Sequence, residues 1–389
     1  MTAGTTIDVS GRGAGAVVIR AGRLVMDNAA IEGTTGEEAG GGITVGVTDE
    51  LILDHGAVIA TQGVGAGSAG DISVRAGKLV LANASGIFSL VNGAGSGGDV
   101  TVTATESARL LTASDISSIA LDGSTGGAGA IAVRAPTLEV GESAVIDART
   151  LGDGDAGNVS VAVNRLVLTA GGQVGSGSGI ASVETGEVRV GKGQAGTVTI
   201  TATDSVTMSG QDAAGIASGV FSQTAALCEG AACGSAAGQE KRAGMISIAT
   251  PTLRMNDGAR IGTDTASGAP GGDIEIRAET LSLSGGAQVS SESGIAVGPR
   301  VFVGTGRGGD ITIQARNLNL DGRAAISARS AGPGDAGTIR IAVGDSLVSR
   351  NSAITTEAER AGGGKIDVEA GSMVQLTGSH LTTTVGGGA

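Results

Sequence analysis

The residues able to do chemistry are few and widely spread. His55 and His380 lie in the first and last quarters of the 389-residue chain. Neither has a metal or triad partner at a useful spacing, so both read as exposed side chains near the third strand of a repeat. Cys228 and Cys233 flank Glu229-Gly230-Ala231-Ala232. They are close enough for a local disulfide if the chain is exported, with free thiols as the alternative. A zinc site there would need two further ligands that the segment does not supply. Three strings, Gly65-x-Gly67-x-x-Gly70, Gly93-x-Gly95-x-x-Gly98 and Gly304-x-Gly306-x-x-Gly309, match the dinucleotide-binding glycine pattern. Each precedes an alternating aliphatic run and none opens a helix, so no helix N-terminus would meet a pyrophosphate. Neither a Walker phosphate loop nor a Gly-x-Ser-x-Gly elbow occurs, and no cofactor or metal is implied.

Carboxylates are the next candidates. Asp71 with Asp99, and Asp273 with Asp310, recur at one phase of a repeat. Stacked repeats would bring each pair near the ~5 Å of a retaining glycosidase. Stacking places any repeated acid at that distance, however, so the spacing carries no information. Asn158, Thr197, Thr338 and Lys365 occupy the same phase. That mixture favours a polar turn position bonded to nearby backbone over a calcium ligand or a catalytic acid.

These residues must be positioned by an unusual scaffold. The chain has 72 Gly, 3 Phe and no Trp or Tyr, yet is 40% hydrophobic. An aromatic-filled globular core, collagen and a low-hydrophobicity disordered chain are all excluded. A unit of Ile/Val-x-Ile/Val-x-Ala followed by Leu/Val-x-Leu/Met recurs from end to end. Its first aliphatics are Val17, Ile43, Ile72, Val100, Ile131, Val159, Val198, Ile246, Ile274, Ile311, Ile339 and Ile366. The basic spacing is about 28 residues, and alternation with polar residues gives the period of two of a strand with one face inward. Three strand runs per repeat describe a coil of a triangular prism. Alanine stands four residues after most markers, as at Ala76 and Ala278, where a bend leaves little volume. The expected fold is an all-β, right-handed parallel β-helix of about twelve coils, one array over residues 1–389 and roughly 58 Å long.

Three repeats are longer than the rest, which predicts insertion loops near 181–194, 219–243 and 296–306 on one edge. Loops held on a rigid scaffold are where recognition usually sits. Phe221, Lys241, Arg242, Val301 and Phe302 are the candidate contact residues. The net charge of −13 opposes nucleic acid and anionic bilayers as partners. No apolar run approaches the ~18 residues of a membrane span, and the N-terminus lacks a signal-peptide pattern. With neither end showing a cap, end-to-end self-association is expected.

The pattern Gly-Gly-Asp-Ile-x-Ile-x-Ala-x-x-Leu-x-Leu-x-x-Gly-Ala-x-Ile-x-Ser, with Ser-Gly-Ile at 178–180 and 293–295, resembles the repeat region of filamentous-haemagglutinin-like exoproteins. The resemblance spans about residues 14 to 385. It implies two-partner secretion through an outer-membrane transporter and an extracellular or cell-surface location. It also implies a shaft that displays loops to a glycan or protein on a host or neighbouring cell. The Asn-Pro-Asn-Gly type motif of the family's secretion domain is missing, as expected of a shaft segment. The alternative is a polysaccharide-active β-helix lyase or hydrolase, which would need acids clustered with Arg or Lys, whereas the charges are scattered singly along the chain.

Overall fold

A computed structural model describes residues 1–2, 4–181, 188–189, 191–224, 243–266, 268–297, 300–302 and 304–386. The protein is a parallel β-solenoid of about twelve turns, with no helix among the described residues. It divides into two compact units, one formed by Met1–Ser178 with Gly191–Gly196, the other by Gly179–Val190 with Thr197–Ala389.

In each unit a coil contributes one long and one short strand. The long strands of the first unit are Val17–Asp27, Ile43–Asp54, Ile72–Leu81, Val100–Leu110, Ile131–Val140 and Val159–Thr169. Its six-residue strands include Val58–Gly63, Gly86–Val91, Asp115–Ala120, Val145–Thr150 and Gln173–Ser178. The second unit repeats the scheme, with long strands such as Ile246–Asn256, Ile274–Leu283 and Ile311–Asp321. Its short strands are Gly219–Thr224, Arg260–Thr265, Gln288–Ser293, Ala325–Ser330, Ala353–Ala358 and His380–Val385, and in the last coil the long strand is divided into Lys365–Ala370 and Met373–Thr377. Corresponding strands of successive coils pair in parallel, with like residues in register: Ile72 lies beside Val100, and Ile274 beside Ile311.

Two strands per coil, where three were expected, follow from the bend after the alanine. The first two aliphatic runs fuse into one strand that keeps its ladder through the bend, in some pairs with a register shift, as between Ala76 and Lys78 or Ala315 and Asn317. Small residues stand at this bend. Ala76, Ala104, Ala135 and Ala202 are buried there. Ala278 and Ala315 are half-buried on the floor of a shallow groove of about 600 Å³ flanked by Pro251, Arg277, Glu279 and Gln314.

Inward aliphatics such as Ile72, Val74, Leu79, Leu81 and Ile87 are fully buried and stack on their counterparts in the next coil. Each contributes about 1.5–3 kcal/mol by leaving water. In most coils the chain passes from the short strand to the next long strand without a further strand. Inward hydroxyls of the short strands bond instead to the glycine-rich backbone there. Thr61 Oγ1 donates to the Gly70 carbonyl at 2.6 Å, and the Gly98 and Gly129 N–H groups donate to Ser89 and Ser118 Oγ at 2.8 Å. In the second unit Thr263 and Ser291 both donate to the Gly272 carbonyl. These bonds satisfy backbone groups that the core would otherwise strand.

The same corner explains the dinucleotide-like strings. A Cβ on Gly93 or Gly98 would land on the carbonyl of Gly65 or Gly70 in the preceding coil, and one on Gly309 would land on that of Gly272. Backbones approach here to a distance only glycine tolerates.

Candidate functional site

The turn aspartates hold neighbouring coils together. Asp71 Oδ1 accepts the Asp99 N–H at 2.8 Å, and Asp99 Oδ1 accepts that of Ala130 at 2.8 Å. Asp273 and Asp310 do the same for Asp310 and Thr338, at 2.9 and 2.8 Å. Each carboxylate is a rung between coils, as the mixed composition of this phase suggested. His55 is exposed at a turn, its Nδ1 3.0 Å from Asp27 Oδ1. His380 is exposed at the start of the last short strand.

Two of the expected insertions contain antiparallel β-hairpins. Ile180–Ala181 pairs with Val188–Arg189, and Ile295–Val297 with Arg300–Phe302. Each begins two residues after a six-residue strand ends. Val301 pairs with Ala296 and Phe302 with Ile295. The middle insertion differs from its expected bounds. Phe221 lies within the short strand Gly219–Thr224. Part of the excess precedes this strand, as a turn in which Asp212 Oδ1 accepts the N–H groups of Ala214 and Ile216 at 2.9 and 2.8 Å. The rest follows Thr224, and there Cys228, Cys233, Lys241 and Arg242 lie outside the described residues.

Phe221 and its neighbours belong to the outer face of the second unit's short-strand sheet, where charges separated in sequence converge. Register places Gln223, Asp264, Glu292, Arg329 and Glu357 in one column, one residue per coil. Gly262 leaves room for the Arg260 guanidinium to pass along its own strand and meet Asp264 Oδ1 at 2.8 Å. The same guanidinium donates to Ser290 Oγ at 3.0–3.1 Å and approaches Glu292 Oε1 at 3.9 Å. Gln223 Nε2 donates to the other Asp264 oxygen at 3.0 Å. Arg329 bridges Glu357 and Glu359 at 3.5 and 3.0 Å.

Burial sets the electrostatics of this column. The Asp264 side chain is only 3% exposed, so desolvation raises its pKa, opposed by Arg260 and the Gln223 hydrogen bond. Glu292 is also raised, by burial and then by Asp264, with both arginines acting against the shift. Burial disfavours the charge on Arg260, but Asp264 and Glu292 outweigh it and raise its pKa. The charges are therefore not single: they form a cluster whose members are spread over about a hundred residues of sequence. The detectable signal is phase, because Gln223, Asp264, Glu292, Arg329 and Glu357 each hold the fifth position of their short strand.

Chemically, the cluster resembles an ion-pair lattice more than a reaction centre. Both Asp264 oxygens already accept hydrogen bonds, and solvent barely reaches them. Glu292, Glu357 and Glu359, 29%, 47% and 43% exposed, are the acids of the cluster that an outside molecule could touch. Among the described residues no group of three or more His, Cys, Asp or Glu is arranged to hold a metal ion. Comparison of the chain with protein-family models, curated proteins and solved structures finds no match.

Proposed function

We propose that this chain is a structural and adhesive shaft segment of a bacterial exoprotein of the filamentous-haemagglutinin type. Exported through an outer-membrane transporter as part of the full-length protein, it holds recognition hairpins out from a cell surface toward a glycan or protein of another cell. One observation carries the reading: the large insertions adjoin the short strands, and at residues 180–189 and 295–302 they contain hairpins. The short strands on either side of the 295–302 hairpin keep their register, so the scaffold there tolerates display without rearranging. The pairing of Cys228 with Cys233 belongs to this proposal, since export supplies an oxidising environment.

The test is binding of the purified chain to arrays of glycans and extracellular-matrix proteins. It is run beside variants in which residues 225–242, or 295–302, are replaced by a short Gly-Ser link. Specific binding lost with either replacement supports the reading. Binding unchanged in both variants, or no binding at all, overturns it.

A polysaccharide-active enzyme is the second reading, favoured by the Arg260–Asp264–Glu292–Arg329 cluster on an outer sheet face. It requires release of sugar fragments from a polysaccharide panel, abolished by Glu292→Gln.

A further inference from the structure

The outer face of the first unit's short-strand sheet is built differently. Its exposed-side columns run Val58, Gly86, Asp115, Val145; then Ala60, Phe88, Ser117, Asp147; then Gln62, Leu90, Ile119, Arg149. Val58, Ala60, Phe88, Leu90, Ile119 and Val145 are half-buried, forming an apolar surface on the solvent side of a sheet. A soluble sheet ordinarily places polar residues there.

Charge on this surface is sparse and unbalanced. Across the five short strands from Val58 to Ser178 the charged residues are Asp115, Asp147 and Arg149. Arg149 Nε meets Asp147 Oδ2 at 2.8 Å. Asp115 is the carboxylate left over, and no guanidinium or ammonium stands on the strands to either side of it except Arg149. Gly86, in register with Asp115, has no side chain, and a Cβ there would coincide with the tip of the Phe88 ring. The ring therefore folds along its own strand into the place beside Asp115.

We infer that this face binds a protein segment in which a lysine or arginine is flanked by aliphatic residues. The cation fits between the spare carboxylate of Asp115 and the electron-rich face of an aromatic ring, an arrangement that attracts ammonium and guanidinium groups. The flanking side chains fit Val58, Leu90, Ile119 and Val145, whose aliphatic character suits apolar side chains better than sugar hydroxyls. The chain's charge of −13 favours a basic partner over any distance. This inference concerns the first unit and does not rest on the hairpins or on adhesion.

The test selects a random heptapeptide phage library on the intact wild-type chain at pH 7.5 and low salt. It is followed by titration of the recovered peptide against wild type, Asp115→Asn and Phe88→Leu. Circular dichroism and denaturation midpoints check that both variants keep the wild-type fold. The expected consensus contains Lys or Arg next to Val, Leu or Ile, and its affinity falls at least about tenfold in Asp115→Asn. Phe88→Leu keeps the apolar contact and loses the ring, so a smaller drop is expected. No consensus, an acidic or purely polar one, or affinity unmoved by Asp115→Asn overturns the proposal. Binding of chitosan oligosaccharides in place of peptides, lost in the same variants, would also overturn it by assigning the face to an amino sugar.

Discussion

The short strands of the two units are alike in pairing and inner surface but not in outer surface. In the first unit, from Val58 to Ser178, the outer columns are largely apolar with one ion pair and a spare carboxylate. In the second they are a charged lattice around Asp264. Inside, both bury Ile or Val at the second position of nearly every short strand, and both tie inward hydroxyls to a glycine corner. The inner positions are fixed by stacking on identical neighbours, while outer positions answer only to solvent and partners. Divergence between the outer faces thus marks where the scaffold leaves sequence free for function.

Breaking the lattice of the second unit should have the largest effect. Arg260→Met leaves Asp264 buried without its guanidinium, and a loss of about 3–5 kcal/mol is expected in denaturant unfolding at pH 7.5. Adding Asp264→Leu should recover most of it. A cost under about 1 kcal/mol for Arg260→Met would show that the lattice is merely a surface ornament.

The glycine corner, common to both units, should come next. Gly98→Ala drives a Cβ into the Gly70 carbonyl, a backbone atom that cannot swing aside. A loss of about 1–3 kcal/mol is expected, with faster amide exchange at Gly98 and Gly129.

The apolar face predicts a gain. Burial first, then Asp147, push the Asp115 carboxyl up to about 6, with Arg149 pulling the other way. The folded chain therefore holds this proton more tightly than the unfolded one. Stability from this group is fullest below about pH 4 and is lost as pH rises toward and through 6. Asp115→Asn should raise stability by about 2 kcal/mol at pH 7.5 and by almost nothing at pH 4. Equal gains at both pH values would remove the titration account.

The smallest effect belongs to the rungs. Asp71→Ala removes one carboxylate-to-amide bond between coils, and about 1 kcal/mol is expected in the same unfolding measurement.

The fold was legible because stacking makes every coil repeat the same inward positions, so Ile72, Val100 and Ile131 announce one another in sequence. The fused long strand was less so: a bend at Ala76 with a register shift looks the same in one dimension as a break. Phe221 was assigned to a loop because the extra residues of its repeat were counted as one block, whereas the chain divides them around the short strand. Asp264 and Glu292 escaped because their partners are one coil away. Aligning the short strands by position rather than by the first aliphatic would have lined up Gln223, Asp264, Glu292, Arg329 and Glu357.

The glycine contacts have an evolutionary consequence. Gly98, Gly129 and Gly157, like Gly309 and Gly337, each meet the glycine of the same phase in the preceding coil, so excising or duplicating one complete coil recreates the same joint. Gene segments of about 28 codons are then the natural currency of change in such a chain. Recombination between copies would lengthen or shorten it in whole coils without requiring any compensating substitution.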